Sequence, residues 1–106
     1  MLHEMNGDDF RLWHQLHDQT KLLEQDINQA SGGELLFDYI GIESDRTGWY
    51  MQSSVRNTVA LFRQELLTLT RLRFPWATSV ELKLSLDKEE PYQVVYIFLS
   101  PLPPLP

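Results

Sequence analysis

Two histidines have the spacing of metal ligands. His14 and His17 are three residues apart, so on a helix their rings lie on neighbouring positions of one face. Asp18 or Glu24, within two turns, would be the third ligand. Two imidazoles without a further ligand held by a motif define no metal site, and His17 borders the apolar side of the helix. We therefore expect one surface histidine, one half-buried histidine, and no metal or other cofactor.

Catalytic motifs are missing from the sequence. It contains no HExxH, no glycine-rich phosphate loop, no GxSxG and no cysteine. Asp38 is the one acidic residue inside a strongly apolar stretch, and general burial preferences favour a solvent-facing or hydrogen-bonded aspartate there. An enzyme built on His14, His17 and Asp38 is the weakest hypothesis, because these residues lie on different elements with no motif that brings them together. We predict that the chain is not an enzyme.

Charge is distributed unevenly along the 106 residues. The formal net charge is −6, yet residues 1–50 carry ten Asp or Glu against three Lys or Arg, whereas residues 51–106 carry five against six. An acidic half repels nucleic acid and attracts a basic protein, so we expect a protein partner. No run approaches the roughly 20 apolar residues of a membrane span, and residues 1–9 do not resemble a signal peptide. Together with the lack of cysteine, this predicts a cytoplasmic protein.

The clearest structural pattern lies in residues 79–86, where apolar and polar side chains alternate. An extended backbone places the apolar ones on one face. These are Val80, Leu82, Leu84 and Leu86. Charged residues and Pro91 follow, and residues 92–99 are again rich in β-formers, so we predict a hairpin at the centre of a small sheet.

The first half of the chain predicts a helix and another hairpin. Apolar residues at steps of three and four predict a helix that ends at Ser31-Gly32-Gly33. Its predicted buried stripe is Phe10, Trp13, Leu16, Thr20, Leu23, Ile27 and Ala30, with Leu12 and Leu22 beside it as residues that would widen it. Residues 34–43 and 49–52 predict two strands, and the first has two apolar faces, so part of it should be covered on both sides or pair centrally in the sheet. Gly41 indicates a bulge or a close approach of another group.

A second helix is predicted to begin at Ser53 or Ser54 and to stop before Pro75. Its predicted buried positions are Val55, Val59, Phe62, Leu66, Leu69 and Leu72 or Arg73. The order α-β-β-α-β-β predicts an α+β fold, in which an antiparallel sheet of about four strands in two hairpins carries two amphipathic helices on one face. Residues 1–100 form this single domain, and residues 101–106 form a proline-rich tail whose leucines cover an edge of the domain, fray, or dock on another protein.

The second half of the chain resembles the YezG-like immunity proteins. Residues 61–73 are a helix rich in Leu and Arg, Pro75-Trp76-Ala77-Thr78 leads into the next strand, and residues 92–96 are a final strand with aromatic side chains. That family shows such a helix before a Pro-Trp-x-Ser/Thr strand start. Its final strand usually carries acidic residues, whereas residues 94–99 have none here. The resemblance implies a cytoplasmic protein that neutralises a bacterial toxin, commonly a nuclease, without a catalytic residue of its own.

We predict an acidic inhibitor that occludes a basic site of its partner. Aromatic residues beside acidic ones are typical of binding patches. The predicted contact residues are Asp38, Glu43, Asp45, Trp49 and Tyr50, with Glu89 and Glu90 as a second patch. Trp76 is expected to fill space between helix and sheet. The alternative is a secretion chaperone or adaptor that binds its client as a dimer, and the sequence leaves both a monomer and a homodimer open.

Overall fold

The computed structural model of this chain describes residues 7–53, 63–86 and 93–104, without the side chains of residues 85, 86 and 93. The helices and strands follow in the predicted order. They are α1 (Gly7–Ser31), β1 (Phe37–Ile42), β2 (Trp49–Ser53), α2 (Arg63–Arg73), β3 (Ser79–Leu86) and β4 (Gln93–Ser100). The four strands form one antiparallel sheet in the order β1-β2-β4-β3. The predicted α+β fold is confirmed.

The central strands are β2 and β4. Of the two alternatives predicted for the first strand, central pairing is wrong, because β1 is an edge strand. The apolar residues on both faces of β1 have another cause. The pairing register shifts between Phe37 and Tyr39, and this bulge changes which face of the sheet the following residues occupy. Phe37 is buried, whereas Tyr39 is 59% exposed. The hairpin of β3 and β4 forms as predicted, but β2 pairs with the other side of β4 and leaves β3 at the opposite edge.

The core lies between the sheet and the two helices, which contact each other on one face of the sheet. Cross-strand neighbours build it in rows, such as Met51 beside Ile97 and Ile97 beside Leu82. Fully buried apolar side chains of the helices cover the core on the side opposite the sheet. These are Leu12, Leu16, Leu23 and Ile27 of α1 and Leu66 of α2. Among the described residues, no helix has the length and apolar character needed to cross a membrane.

The buried face of α1 agrees with the predicted stripe over its middle, at Leu16, Thr20, Leu23 and Ile27, and differs from it at both ends. Leu12 is fully buried, whereas Phe10 is 53% exposed and packs edge-on against His14. Ala30 is also exposed. Steps of four and three from Leu12 through Leu16 make a continuous stripe that Phe10 does not join. The predicted helix end is confirmed: Gly32 has φ +70°, and its amide donates to the carbonyl of Asn28 at 2.8 Å.

The buried face of α2 also differs from the prediction. Leu66 and Thr70 are buried, whereas Leu72 is 71% exposed. The Thr70 hydroxyl donates to the Leu66 carbonyl at 2.7 Å, which satisfies it inside the helix and permits its burial. Ser53 is the last residue of β2. The other proposed cap and first-turn residues, Ser54, Val55, Val59 and Phe62, lie outside the described residues.

Two predicted contacts at the end of the domain can be compared with the structure. Trp76 packs against the core and against Phe74, and its indole N–H points to the side-chain oxygen of Gln19 in α1 at 3.4 Å. It fills space between the layers, as predicted. Leu102 also packs against the core. Leu105 lies outside the described residues.

Thr20 is a buried polar side chain that links α1 to the sheet. Its hydroxyl donates to the Leu16 carbonyl at 2.8 Å and accepts a hydrogen bond from the indole N–H of Trp49 at 3.1 Å. Thr20 and Trp49 are both fully buried. The indole N–H therefore depends on this hydroxyl for its hydrogen bond.

We expect Thr20→Val to lower the free energy of unfolding by about 1–3 kcal/mol, because it leaves the buried indole N–H of Trp49 unsatisfied. The matched control is Thr68→Val, which removes the same type of bond to the carbonyl four residues earlier on an exposed face of α2. It should change stability by no more than about 0.5 kcal/mol. Urea unfolding measures both, and equal losses would contradict this role of Thr20.

An ion pair joins the two helices. The guanidinium of Arg73 donates to both carboxylate oxygens of Asp26, at 2.5 and 2.9 Å. These hydrogen bonds lower the pKa of Asp26 below its ordinary value of 3.8. A lowered carboxyl pKa in the folded state stabilises the fold above the unfolded pKa, and this contribution is lost as the pH falls through the folded value.

We expect Asp26→Asn to destabilise the domain at neutral pH by less than about 1 kcal/mol, since both partners of the pair are partly exposed. The difference from the unchanged chain should shrink as the pH falls below 3.8. Urea unfolding across this range measures it. Asp8→Asn, which removes the more exposed pair with Arg11, is the control and should have a smaller effect. A difference for Asp26→Asn that grows on acidification would contradict the expectation.

Candidate functional site

The face of the sheet opposite the helices carries a cluster of aromatic side chains. Strand alternation and register place two cross-strand rows there. The first row is Tyr39, Gln52, Tyr96 and Lys83, and the second is Gly41, Tyr50, Phe98 and Glu81. We call this surface the outer face. Tyr39 is largely exposed, and the other three aromatic rings are half-buried.

Two glycines allow the rings to lie along the sheet. A Cβ atom at Gly41 would be 2.8 Å from the Tyr50 hydroxyl oxygen, and one at Gly48 would be 2.6 Å from Cζ of Phe98. Both glycines are buried beneath these rings. The close approach predicted for Gly41 is confirmed, although the bulge lies at Asp38. A Cβ atom at either glycine would therefore displace the ring that reaches across it.

Charged groups surround Tyr96 on this face. Lys83 Nζ lies 5.6 Å from the centroid of the Tyr96 ring, a cation–π distance. Burial raises the pKa of the Tyr96 hydroxyl, and the carboxylates of Glu43 and Glu81 raise it further because they disfavour a second negative charge nearby. Tyr50 also raises the pKa of Tyr96. The outer face therefore combines aromatic rings with two carboxylates and one lysine.

The loop that joins β1 to β2 holds one of these carboxylates in place. The Glu43 amide donates to the Gly48 carbonyl at 2.9 Å, and the Arg46 amide donates to the Glu43 carbonyl at 2.8 Å. Arg46 adopts φ 60° and forms an ion pair with Asp9 of α1. The amide and hydroxyl of Ser44 also donate to the Glu43 carboxylate. This loop is thus tied to both layers of the domain.

Asp45 lies in the same loop and forms a local turn. Its carboxylate accepts hydrogen bonds from the Thr47 hydroxyl at 2.7 Å and from the Thr47 amide at 3.1 Å. These bonds lower the pKa of Asp45. Asp45 is exposed, in the loop that also holds Glu43.

The predicted contact residues separate into four groups. Glu43 and Tyr50 belong to or border the outer face, and Asp38 and Asp45 are exposed near it. Trp49 is fully buried, so its prediction as a contact residue is corrected. Consecutive strand residues point to opposite faces, and Tyr50 takes the outward position. The second predicted patch, Glu89 and Glu90, lies outside the described residues.

Of the residues of the outer face, sequence reasoning predicted only Tyr50 as a contact, together with Glu43 at its border. Tyr39, Tyr96, Phe98 and Glu81 were not among the predicted contact residues. The alternation of β4 carries a signal for two of them, because Val95, Ile97 and Leu99 are buried and the aromatic residues between them face the other way. The position of Tyr39 follows from the bulge in β1, which the sequence does not mark.

Most acidic side chains of α1 form ion pairs within the domain and do not gather on one surface. Four of its carboxylates form ion pairs, which are Asp8 with Arg11, Asp9 with Arg46, Glu24 with Lys21 and Asp26 with Arg73. The acidic first half of the chain is therefore not a single acidic patch. The carboxylates at the outer face come from β1, β3 and the loop between β1 and β2.

The two histidines of α1 lie among aromatic side chains. His17 stacks on Trp13 with ring centroids 5.0 Å apart, and His14 contacts Phe10 and Trp13 edge-on. His17 Nδ1 lies 3.4 Å from a carboxylate oxygen of Asp18. In the part of the chain that the structure describes, no group of three metal-ligating side chains comes together.

Alanine at the two glycines should have unequal effects. A Cβ at Gly48 meets the Leu99 backbone carbonyl as well as Phe98, whereas one at Gly41 meets the movable end of Tyr50. We expect Gly48→Ala to cost about 1–3 kcal/mol of stability by overpacking, and Gly41→Ala less. Urea unfolding tests the order, and a larger loss for Gly41→Ala would contradict it.

Comparisons of the chain with protein-family models, with curated proteins and with solved structures find no match. The resemblance to YezG-like immunity proteins therefore stays a prediction. The functional assignment rests on the geometry and chemistry of the outer face.

Proposed function

We propose that this chain is a cytoplasmic protein-binding domain that inhibits a partner with a basic site, as an immunity protein inhibits a bacterial toxin such as a nuclease. The outer face is the observation that carries the proposal. It presents Tyr39, Tyr50, Tyr96 and Phe98 together on a rigid sheet, with Glu43 and Glu81 among them. Such a face fits binding, and it needs no catalytic group.

Aromatic side chains suit this role because they supply large contact areas with few rotatable bonds. Tyrosine also has a hydroxyl group that can hydrogen-bond to a partner, and it is enriched among the residues that dominate binding energy. Tyr39, at 59% exposure, has the most surface to bury on binding. The sheet fixes the backbone of all four residues, so no backbone has to become ordered there when a partner binds.

The carboxylates supply attraction at longer range. Glu43, Asp45 and Glu81 lie in or beside the outer face, and Lys83 is the cation between them. A partner with a basic substrate groove would be drawn to this face and covered by it. Inhibition then follows from occlusion of the groove, and the association rate falls as salt screens the charges.

The proposal is tested by capture and inhibition. The tagged chain is incubated with lysate of its native cell at about 50 and about 500 mM salt, which changes the screening length severalfold. The bound protein is identified by mass and purified, and its activity is measured with increasing amounts of the chain. We expect a basic partner, stoichiometric inhibition, and an association rate that falls with salt.

Two outer-face variants should weaken this inhibition. Tyr39→Ala and Glu43→Lys should each raise the dissociation constant by about tenfold or more, the effect expected of a contact worth over 1 kcal/mol. Asp18→Lys reverses an exposed charge on the helix side and is the matched control. Equal effects of all three variants, or an association rate that does not change with salt, would contradict occlusion through the outer face.

A dimeric chaperone or adaptor is the second candidate function, and one observation favours it. The exposed Leu72 lines a groove of about 560 Å³ between α1 and α2, with the Asp26–Arg73 ion pair in its wall. Light scattering after size exclusion separates the two candidates. A monomer favours the inhibitor, whereas a dimer that Leu72→Glu dissociates favours the chaperone.

A further inference from the structure

We propose that the outer face contains a binding site for the guanidinium group of an arginine side chain. Tyr50 and Phe98 form its floor, and the carboxylates of Glu43 and Glu81 flank it. As a contact for a basic partner, the site rests on the proposed function. Its existence as a cation site depends only on the residues of this chain.

The position of the two rings is the first reason. Tyr50 and Phe98 are cross-strand neighbours, and the far end of each ring lies over a glycine, Gly41 or Gly48. Both side chains are half-buried, so part of each ring is accessible from the outer side of the sheet. A cation is attracted to the face of an aromatic ring, and a planar guanidinium can also stack on it.

The position of the carboxylates is the second reason. Glu81 is the cross-strand neighbour of Phe98. Glu43 is held by the loop between β1 and β2, and the carboxylates of both glutamates act electrostatically on the Tyr96 hydroxyl. A guanidinium over the rings can therefore donate hydrogen bonds toward a carboxylate. Arginine offers five N–H donors in a plane, which fits this combination better than the compact ammonium of lysine.

Lys83 supplies the third reason, because it shows a cation already held on this face. Its ammonium lies 5.6 Å from the Tyr96 ring centroid. An arginine from a partner would enter beside this ammonium and be repelled by it. Removal of the Lys83 charge should consequently strengthen binding at the site.

The experiment is an NMR titration of the full chain at low salt with N-acetyl-arginine amide. N-acetyl-citrulline amide, which has nearly the same shape without the charge, is the reference probe. We expect saturable shifts confined to residues of the outer face. The citrulline probe should bind at least about fivefold more weakly than the arginine probe. This is the size expected for a cation–π contact strengthened by a carboxylate.

Variants of the chain locate the site. Phe98→Leu keeps an apolar side chain without a π face, and Glu81→Gln keeps the size of glutamate without the charge. Each should weaken the arginine probe by about threefold or more. Asp18→Asn, on the helix side, is the control and should leave binding unchanged. Because Glu81 is exposed, its variant should retain the fold and gives a result even if Phe98→Leu unfolds.

The Lys83 variant gives a change in the opposite direction. Lys83→Gln should strengthen binding of the arginine probe by about twofold or more, through loss of a nearby like charge. Arg71→Gln removes an exposed positive charge from α2 and is its control. A general effect of net charge would make the two variants equal, which would overturn the local interpretation.

Several results would overturn the proposal. These are equal binding of the arginine and citrulline probes, shifts centred on the helices, or tighter binding of N-acetyl-lysine amide than of the arginine probe. The probes require no partner, so failure here is distinct from failure of the inhibitor function. A captured toxin with no arginine-probe binding removes only this site, whereas probe binding without inhibition removes only the inhibitor.

Discussion

The contact between Trp49 and Thr20 is the constraint on which the two faces of the sheet depend. The indole is fully buried at the start of β2, and its N–H is satisfied by a hydroxyl of α1. Because burial of Trp49 fixes which face of β2 meets the helices, the next residue, Tyr50, must face away from them. The register of β2 with β4 then places Phe98 beside Tyr50. One buried hydrogen bond thereby orients an exposed aromatic surface on the other side of the sheet.

The ionic contacts divide in a similar way between structure and surface. Asp9 and Asp26 join α1 to the β1–β2 loop and to α2 through arginine side chains. These two carboxylates are engaged in contacts between parts of the domain. Each ion pair contributes the modest stability expected of a partly exposed pair. The carboxylates of Glu43 and Glu81 lie instead beside aromatic rings. Local surroundings, and not the total charge, determine which acids are suited to a partner.

The proposed inhibitor function joins these two features. An aromatic surface on a rigid sheet supplies contact area, and a few carboxylates supply orientation and attraction to a basic site. The loop between β1 and β2 is fixed at both ends by hydrogen bonds and by the ion pair of Arg46. A surface that is organised before binding loses little entropy on contact, which favours tight association from a small domain.

The sequence by itself determined the local elements and their order. Alternation in residues 79–86, glycines after the first helix and Pro75 after the second are local signals, and each acts within a few residues. The hairpin of β3 and β4 follows from the same kind of signal. Glu43 and Tyr50 could be predicted as members of the candidate site because their loop and strand positions can be recognised from the local sequence.

Only the tertiary structure decided which face each residue occupies and which strands are central. The bulge between Phe37 and Tyr39 reverses the alternation of β1, and the pairing of β2 with β4 joins residues over forty positions apart. Trp49 and Tyr50 are both aromatic and adjacent, so their types do not reveal which one is buried. Residue types report local preference, whereas long-range pairing and packing select among the faces that preference allows.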